Sequence, residues 1–358
     1  MPQLSERQAV VLLGIIAAHV RSGAPVGSRT IVEETGLGVS AATVRNDMAA
    51  LEEAGYIDHP HISAGRIPTD KGYRWFVDAL SARRTHHKEP LVISDDQRAA
   101  LTHMLGGATD LDDLLKRATS ALSRLTRFAS LVVAPSFHRS LIKHVELVAL
   151  GPEQVLAVII ADTGRVTKRM LKLAAPIGSD EVARSGHVVN MAVVGLCAAD
   201  APSAITGLIP GAPSELAELL SQLAESWQAS NESQPQTLYV GGQSLLMEAD
   251  PYGQLDHFKR VYETLEEQVS ILQVLHDALN DADPAVRIGE ELPLRELAPY
   301  AVVATKYEAT DSCEGHLGIL GPTRMDYSAT LDAVEVVADV LSDAIGSMTG
   351  SSSDNQPA

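Results

Sequence analysis

Cysteine is nearly absent from this chain: only Cys197 and Cys313 occur among 358 residues, far apart in sequence. That scarcity excludes a disulfide framework and a CxxC metal site, so two unbridged thiols in a reducing compartment are expected. Aromatic residues are also few, at 4% beside an apolar content of 45%. The chain is long enough for two or three domains, but their cores must be built from Leu, Val, Ile and Ala. No apolar run approaches the ~20 residues that cross a bilayer. Glu6, Arg7 and His19 flank and interrupt the N-terminal apolar pattern, where a signal peptide would need an unbroken stretch. A cytoplasmic protein without membrane contact is therefore expected. No GxGxxG or GKS/GKT phosphate loop is present. Gly241-Gly242 reads as a turn, and Gly321-Pro322-Thr323-Arg324 as a helix start without a glycine cradle. No cofactor is expected.

Positive charge is the last shortage. The net charge is −18, which looks wrong for a nucleic-acid-binding protein until it is apportioned. Residues 1–88 hold ten Lys+Arg and nine Asp+Glu, a net of +1; the other 270 hold eighteen against thirty-seven, a net of −19. The acidity lies outside the N-terminal segment, and such a body repels DNA that the segment does not grip.

What that segment does contain is a run from Val39 to Tyr73, VSAATVRNDMAALEEAGYIDHPHISAGRIPTDKGY. Ser40 is an N-cap residue, and Val44, Met48 and Leu51 follow at i, i+4 and i+7 to form one apolar stripe. Ala42 and Asn46 fall opposite that stripe, with Thr43 and Arg45 on its flanks. A small, polar outer face at the N-terminal half of a helix suits entry into a major groove. Upstream, Ser5–Arg21 reads as a helix with a capping-box pair Ser5/Gln8, and Ser28–Thr35 as a short second helix. Gly36–Val39 makes the turn between the second and third helices. Tyr56–Thr69 reads as two short strands around Ala64-Gly65. Three helices and a ribbon make a winged helix-turn-helix. The expected DNA contacts are Ser28, Arg29, Ser40, Ala42, Thr43, Arg45 and Asn46, with Arg66 at the wing and Lys71 and Arg74 as backbone support.

The run from Val39 to Leu80 closely resembles the N-terminal signature of the HrcA family of bacterial heat-inducible transcription repressors. VLAVIIADTGRV (Val155–Val166) and GHLGILGPTRMDYSATLDAV (Gly315–Val334) are similar to the same family, in the expected order. The resemblance implies a homodimeric repressor with a winged-helix domain, a GAF-like domain and an inserted dimerising domain. It implies double-stranded DNA as target, an inverted-repeat operator upstream of chaperone operons, and modulation by the GroEL chaperonin.

The remaining chain reads as α+β. Thr69–Arg84 has helical periodicity, and a polar linker follows at 85–94. Helical periods return over 95–105 and 111–128. Strand-like runs lie at 131–134, 143–150, 155–161 and 166–172, separated by turns, and a meander is expected. Helices are expected at 214–227 and 257–279, strands at 300–307 and 316–320, and a last helix at 328–345. The expected partition is a DNA-binding domain over 1–84, a GAF-like α+β domain over 95–180 and 285–345, an inserted helical dimerisation domain over 181–284, and a disordered tail over 346–358.

Several tempting sites have plainer explanations. Asp162-Thr163-Gly164 matches the aspartic-protease tripeptide, but that chemistry needs a second copy, and a hairpin turn accounts for it. His59, His61, His86 and His87 are too few and too scattered for a converging metal site. No nucleophile–base constellation is visible, so an enzyme is not expected. The alternative to a repressor governed by a protein partner is a metabolite-sensing regulator with its ligand in the GAF-like domain.

Overall fold

The computed structural model describes residues 4–60, 65–86, 93–233, 236–249, 261–265, 267–311 and 313–349. The N-terminal helices form where caps and periodicity place them. Helix α1 (Glu6–Ser22) starts on a capping box in which Ser5 and Gln8 exchange bonds, and ends on Gly23 at positive φ. Helix α2 (Ser28–Thr35) and helix α3 (Ala41–Glu53) pack on it through Ile31, Val44, Met48 and Leu51, all buried. Strands β1 (Ile57–Asp58) and β2 (Ile67–Pro68) pair antiparallel, and Val26 bridges to Arg66 as a third edge. Gly65 is required there, because a Cβ would stand 2.5 Å from the Val26 carbonyl oxygen. The second wing strand, expected over Ile62–Ile67, is Ile67–Pro68, and residues 61–64 lie outside the described residues. So do His61, His87 and most of the expected linker.

After α4 (Asp70–His86), α5 (Asp95–Gly106) and α6 (Leu111–Thr126), strand β3 (Ala129–Val133) enters a five-stranded antiparallel sheet. Its order is β7-β3-β10-β9-β8, with β7 Leu238–Gly241, β8 Ala285–Ile288, β9 Tyr300–Thr310 and β10 Cys313–Pro322. Alternate residues of β9 serve two cores: Ala301 and Val303 join the one shared with α5, α6 and α12 (Tyr327–Thr349), Val302 and Ala304 the one containing α10 (Gln243–Ala249) and α11 (Gln268–Asp281). Both faces are covered, which is why the central strands are apolar throughout.

Strands β4 (Ile142–Gly151), β5 (Gln154–Ala161) and β6 (Val166–Lys172) form a separate three-stranded meander. Among the described residues, only one of its faces is covered. Helices α7 (Ser179–Val193), α8 (Ala201–Thr206) and α9 (Ser214–Ser233) close that face around Trp227, Leu220 and Ile159.

This arrangement corrects the expected partition. The boundaries at 181 and 284 cut across both cores: β4–β6 leave the sheet that holds β3, while β7 returns to it from inside the expected insertion. The four-strand meander breaks after β3, because the 3-10 turn Phe137–Arg139 carries the chain away. Strand β7 escaped notice because four residues carry no readable period, although Gly242 does adopt the positive φ of a turn (65°). The expected tail begins too early as well, since α12 stays helical through Thr349. Part of the expected helix 257–279, residues 257–260 and 266, lies outside the described residues.

One buried group gives the larger sheet a pH dependence. His316 on β10 is packed beside the His276 ring, with centroids 6.3 Å apart. Burial, with Lys306 and His276 adding to it against Glu314 and Asp283, holds its imidazole below the ordinary value of 6.5. A base depressed by folding gives stability that is present above its unfolded pKa and lost as pH falls through it. Melting temperatures should therefore drop from about pH 7 to about pH 5 more steeply in the parent than in His316→Gln. Equal slopes would show that His316 does not carry the effect.

Candidate nucleic-acid interface

Helix α3 is held rigidly on its inner side. Ser40 accepts the Thr43 N–H at 3.2 Å, and the two hydroxyls lie 3.0 Å apart. Asp47, 5% exposed, receives a fork from Arg7 on α1, with Nε to Oδ2 at 2.8 Å and NH2 to Oδ1 at 3.0 Å. That fork raises the Arg7 pKa further and fixes the roll of α3 against α1. Sequence reasoning missed this pair. The readable signal was an acidic residue one position before Met48 in the apolar stripe, a place that needs a cationic partner.

The outer side of α3 is open. Ala42, Arg45 and Asn46 are exposed and Thr43 is half-buried at the cap. Arg45 Nε reaches Ser28 Oγ at 3.3 Å, tying the starts of α3 and α2, and Arg29 is exposed on the first turn of α2. Gly36 and Gly38, at φ 62° and 64°, supply the left-handed turn between the two helices. The structure thus brings Ser28 to Arg45 and leaves Ala42, Arg45 and Asn46 uncovered beside Thr43 and the Ser40 cap.

The other three expected contacts are engaged inside the protein. Arg66 pairs with Glu52 through Nε (2.8 Å) and NH2 (2.7 Å), binding the wing to the end of α3. Lys71 Nζ donates to the Ala54 carbonyl at 2.7 Å and lies 4.7 Å over the Tyr56 ring, which caps the C-terminus of α3. Arg74 faces away from α3. It forms a fork with Glu291 and donates to the Val286 carbonyl at 2.7 Å. It belongs to a seam that also contains the Tyr73–Tyr327 ring pair, Arg84 with Asp332 and Glu335, and Asp70 accepting from the Glu290 N–H. The seam fixes α4, and with it the three-helix head, on the five-stranded domain. Arg74→Ala should lower the melting temperature, by the equivalent of about 1–2 kcal/mol, and leave the salt slope of DNA binding unchanged. A shallower slope with unchanged melting would return Arg74 to the DNA surface.

His59 Nδ1 sits 2.6 Å from Glu52 Oε1, and with Asp58 these residues place ligand atoms within 4.8 Å of one another. The Arg66 guanidinium also pairs with Glu52, so that carboxylate has a cationic partner within the fold. Asp162-Thr163-Gly164 is a hairpin turn between β5 and β6: Gly164 has φ 78°, and Asp162 Oδ1 accepts the Leu141 N–H at 2.9 Å. Both cysteines are free thiols. No helix among the described residues is long and apolar enough to cross a membrane.

Known proteins share this organisation. The profile of the HrcA protein C terminal domain matches residues 112–331. A heat-inducible transcription repressor HrcA from Nocardioides sp. is 41% identical over 337 residues, spanning 94% of this chain and 97% of its own. The same-named protein of Nocardia farcinica is 40% identical over 342 residues, spanning 95% and 96%. A crystal structure of a hypothetical protein superposes with a TM-score of 0.66 at 24% identity, covering 96% of this chain and 99% of that one, and so shares the fold.

Proposed function

The chain belongs to the HrcA family of heat-inducible transcription repressors, and from that premise we propose that it binds an inverted-repeat operator of chaperone operons as a two-fold dimer. The observation that carries this reading is the outer face of α3. Exposed Ala42, Arg45 and Asn46 stand beside the Ser40 cap on a helix locked by Arg7–Asp47, Arg66–Glu52 and Lys71–Ala54. Asn46 is placed to read a base; Ser28, Arg29, Ser40, Thr43 and Arg45 are placed for phosphates and groove walls. Arg66, Lys71 and Arg74 hold the head together and to the body. Gel-shift titration on operator and scrambled duplexes tests the reading. Equal affinity for the two would remove it.

A dimer needs an apolar self-complementary patch. The uncovered face of the three-stranded sheet supports that role: Leu156 lies between Val148 and Met170, and Ile160 is paired with Val166. Val148, Leu150, Val166 and Met170 are between 39% and 53% exposed, with the Glu146–Val158–Lys168 row crossing the same face between them. On this reading the insertion that serves dimerisation is the β4–β6 module with its helices α7–α9, which it shares with the expected span 181–284.

Control by the GroEL chaperonin is proposed to act through the repressor's own stability. A repressor near the low end of the usual ~5–15 kcal/mol loses its dimer and its DNA on modest heating. Chaperonin with ATP should raise the fraction of repressor active on operator without entering the DNA complex. A repressor that keeps full affinity through heat-shock temperatures, whether or not chaperonin is present, would exclude this control. A metabolite sensor is the second reading. A cleft that bears on it, between α7 and α9 and lined by Ile177, Arg184, Val188 and Leu216, lies in the three-stranded module and outside the five-stranded domain.

A further inference from the structure

In the N-terminal segment Arg7, Arg66, Arg74 and Arg84 each meet a carboxylate. Arg165 and Arg169 in the acidic body do not. Neither has a carboxylate within ion-pair distance among the described residues. Arg169 lies on β6, opposite Ala157 and between Thr167 and Leu171, on the face of the sheet that α9 covers. Its Nε is buried without a hydrogen-bond partner, and its one recorded bond is a long 3.4 Å contact from NH1 to the Lys168 carbonyl. Burial lowers its pKa, and the charge of Arg165 lowers it further. The two guanidiniums repel each other, and among the described residues neither has an ion-pair partner to offset it.

A third donor without an acceptor belongs to the same neighbourhood. The Arg165 guanidinium lies 5.9 Å over the Phe137 ring, and Phe137 packs against Trp227 at a centroid distance of 6.3 Å. Trp227 on α9 is fully buried, and its Nε1–H has no partner. An indole N–H can only donate, and a buried donor left unmade is costly, so unpaired ones are rare in native proteins. Two guanidiniums and an indole N–H around the join of β6, α9 and the Phe137 turn form a donor-only set. A metal cannot use it; an oxyanion can.

We propose that this donor set binds a phosphate group, whose several oxygens match two planar guanidinium forks and a neighbouring N–H. Two features favour phosphate over a single carboxylate. The paired positive charges call for a dianion, and the donors outnumber what two carboxylate oxygens would satisfy. The site also has a structural consequence. Arg165 acts electrostatically on Tyr239 of β7, whose hydroxyl donates to Asp112 on α6 at 2.6 Å. An anion on Arg165 and Arg169 would thus be sensed where the three-stranded module meets the five-stranded sheet. Occupancy should stiffen the joint between the dimerising surface and the domain that carries the head. The assignment is independent of the operator and of the chaperonin.

The test uses the full chain with Trp75→Phe, so that Trp227 is the single indole. Emission and melting temperature are followed while sodium phosphate replaces sodium chloride at constant ionic strength. The expected result is a saturable change in Trp227 emission and a rise in melting temperature that chloride does not reproduce. Arg169→Gln and Arg165→Gln should each weaken the apparent affinity by roughly tenfold or more. Arg169→Lys, which keeps the charge but loses the fork, should fall between them and the parent and guards against a variant that fails to fold. A nucleoside triphosphate in place of phosphate identifies the source: tighter binding assigns a nucleotide, equal or weaker binding the free ion. A response that does not saturate, or that survives Arg169→Gln unchanged, overturns the proposal. So does dissociation of the Arg169→Gln dimer with no phosphate response in the parent, which would give both arginines to the subunit contact.

Discussion

Asn46→Ala should cost ~1–3 kcal/mol on operator DNA, a loss of roughly 5- to 150-fold, while binding to scrambled duplex and the melting temperature stay where they were. The reasoning runs from exposure to chemistry. Asn46 is uncovered on the side of α3 opposite Val44, Met48 and Leu51, so its removal opens no cavity. An amide presents a donor and an acceptor side by side, the pattern that matches adenine in the major groove. Loss of that pair is felt on the cognate base and nowhere else. Gel-shift titration against both duplexes at one fixed salt concentration gives the answer, since phosphate contacts vary steeply with salt. If affinity for both duplexes falls alike, Asn46 positions the helix and reads no base. Arg45→Ala is the companion: its bond to Ser28 joins α2 to α3, so it should weaken both duplexes together.

Val158→Asp combined with Met170→Lys should convert the protein to a monomer whose operator affinity is lower by roughly 10²–10⁴-fold. Both residues sit on the uncovered face of the three-stranded sheet, Met170 52% exposed and Val158 half-buried in the central strand. A charge there meets water in the monomer but an apolar partner in a dimer, so the cost falls on association rather than folding. The size of the DNA effect comes from linkage: two heads joined as one body turn the second half-site into an intramolecular event. Sedimentation and operator titration of the same sample check it. A variant that stays dimeric would move the subunit contact elsewhere, and a monomer with full operator affinity would mean that one head is enough. Cutting the chain at 181 and 284 would be a poor substitute. That excision strips α7–α9 from β4–β6 and takes β7 out of the larger sheet.

The contrast between these two expectations marks how far the residues could be read alone. The face carrying Asn46 was legible because a helix is a local object. A cap at Ser40, a stripe at i, i+4 and i+7, and glycines at the turn specify which side chains point out, whatever the helix packs on. The face proposed for dimerisation was not legible in the same way. Alternation along β4 to β6 shows that each strand has two sides, but the absence of a helix over one of them is a property of the whole module.

The sequence by itself determined the local elements of this repressor: capped helices, the hairpin turn at Asp162-Thr163-Gly164, the alternating strands, the acidic body and the near-neutral head. Each follows from interactions among residues a few positions apart. Only the tertiary structure decided which strands share a sheet, since backbone pairing of β3 with β7 and β10 joins residues more than a hundred positions apart and leaves no periodic trace. It also decided the duties of the basic residues. Arg45, Arg66 and Arg74 look alike as letters, yet Arg66 meets Glu52 and Arg74 meets Glu291, while Arg45 remains at the surface beside Ser28. A guanidinium takes the carboxylate that the fold brings within reach, because pairing offsets the cost of burying it, and that reach is set by packing, not by neighbours in the chain.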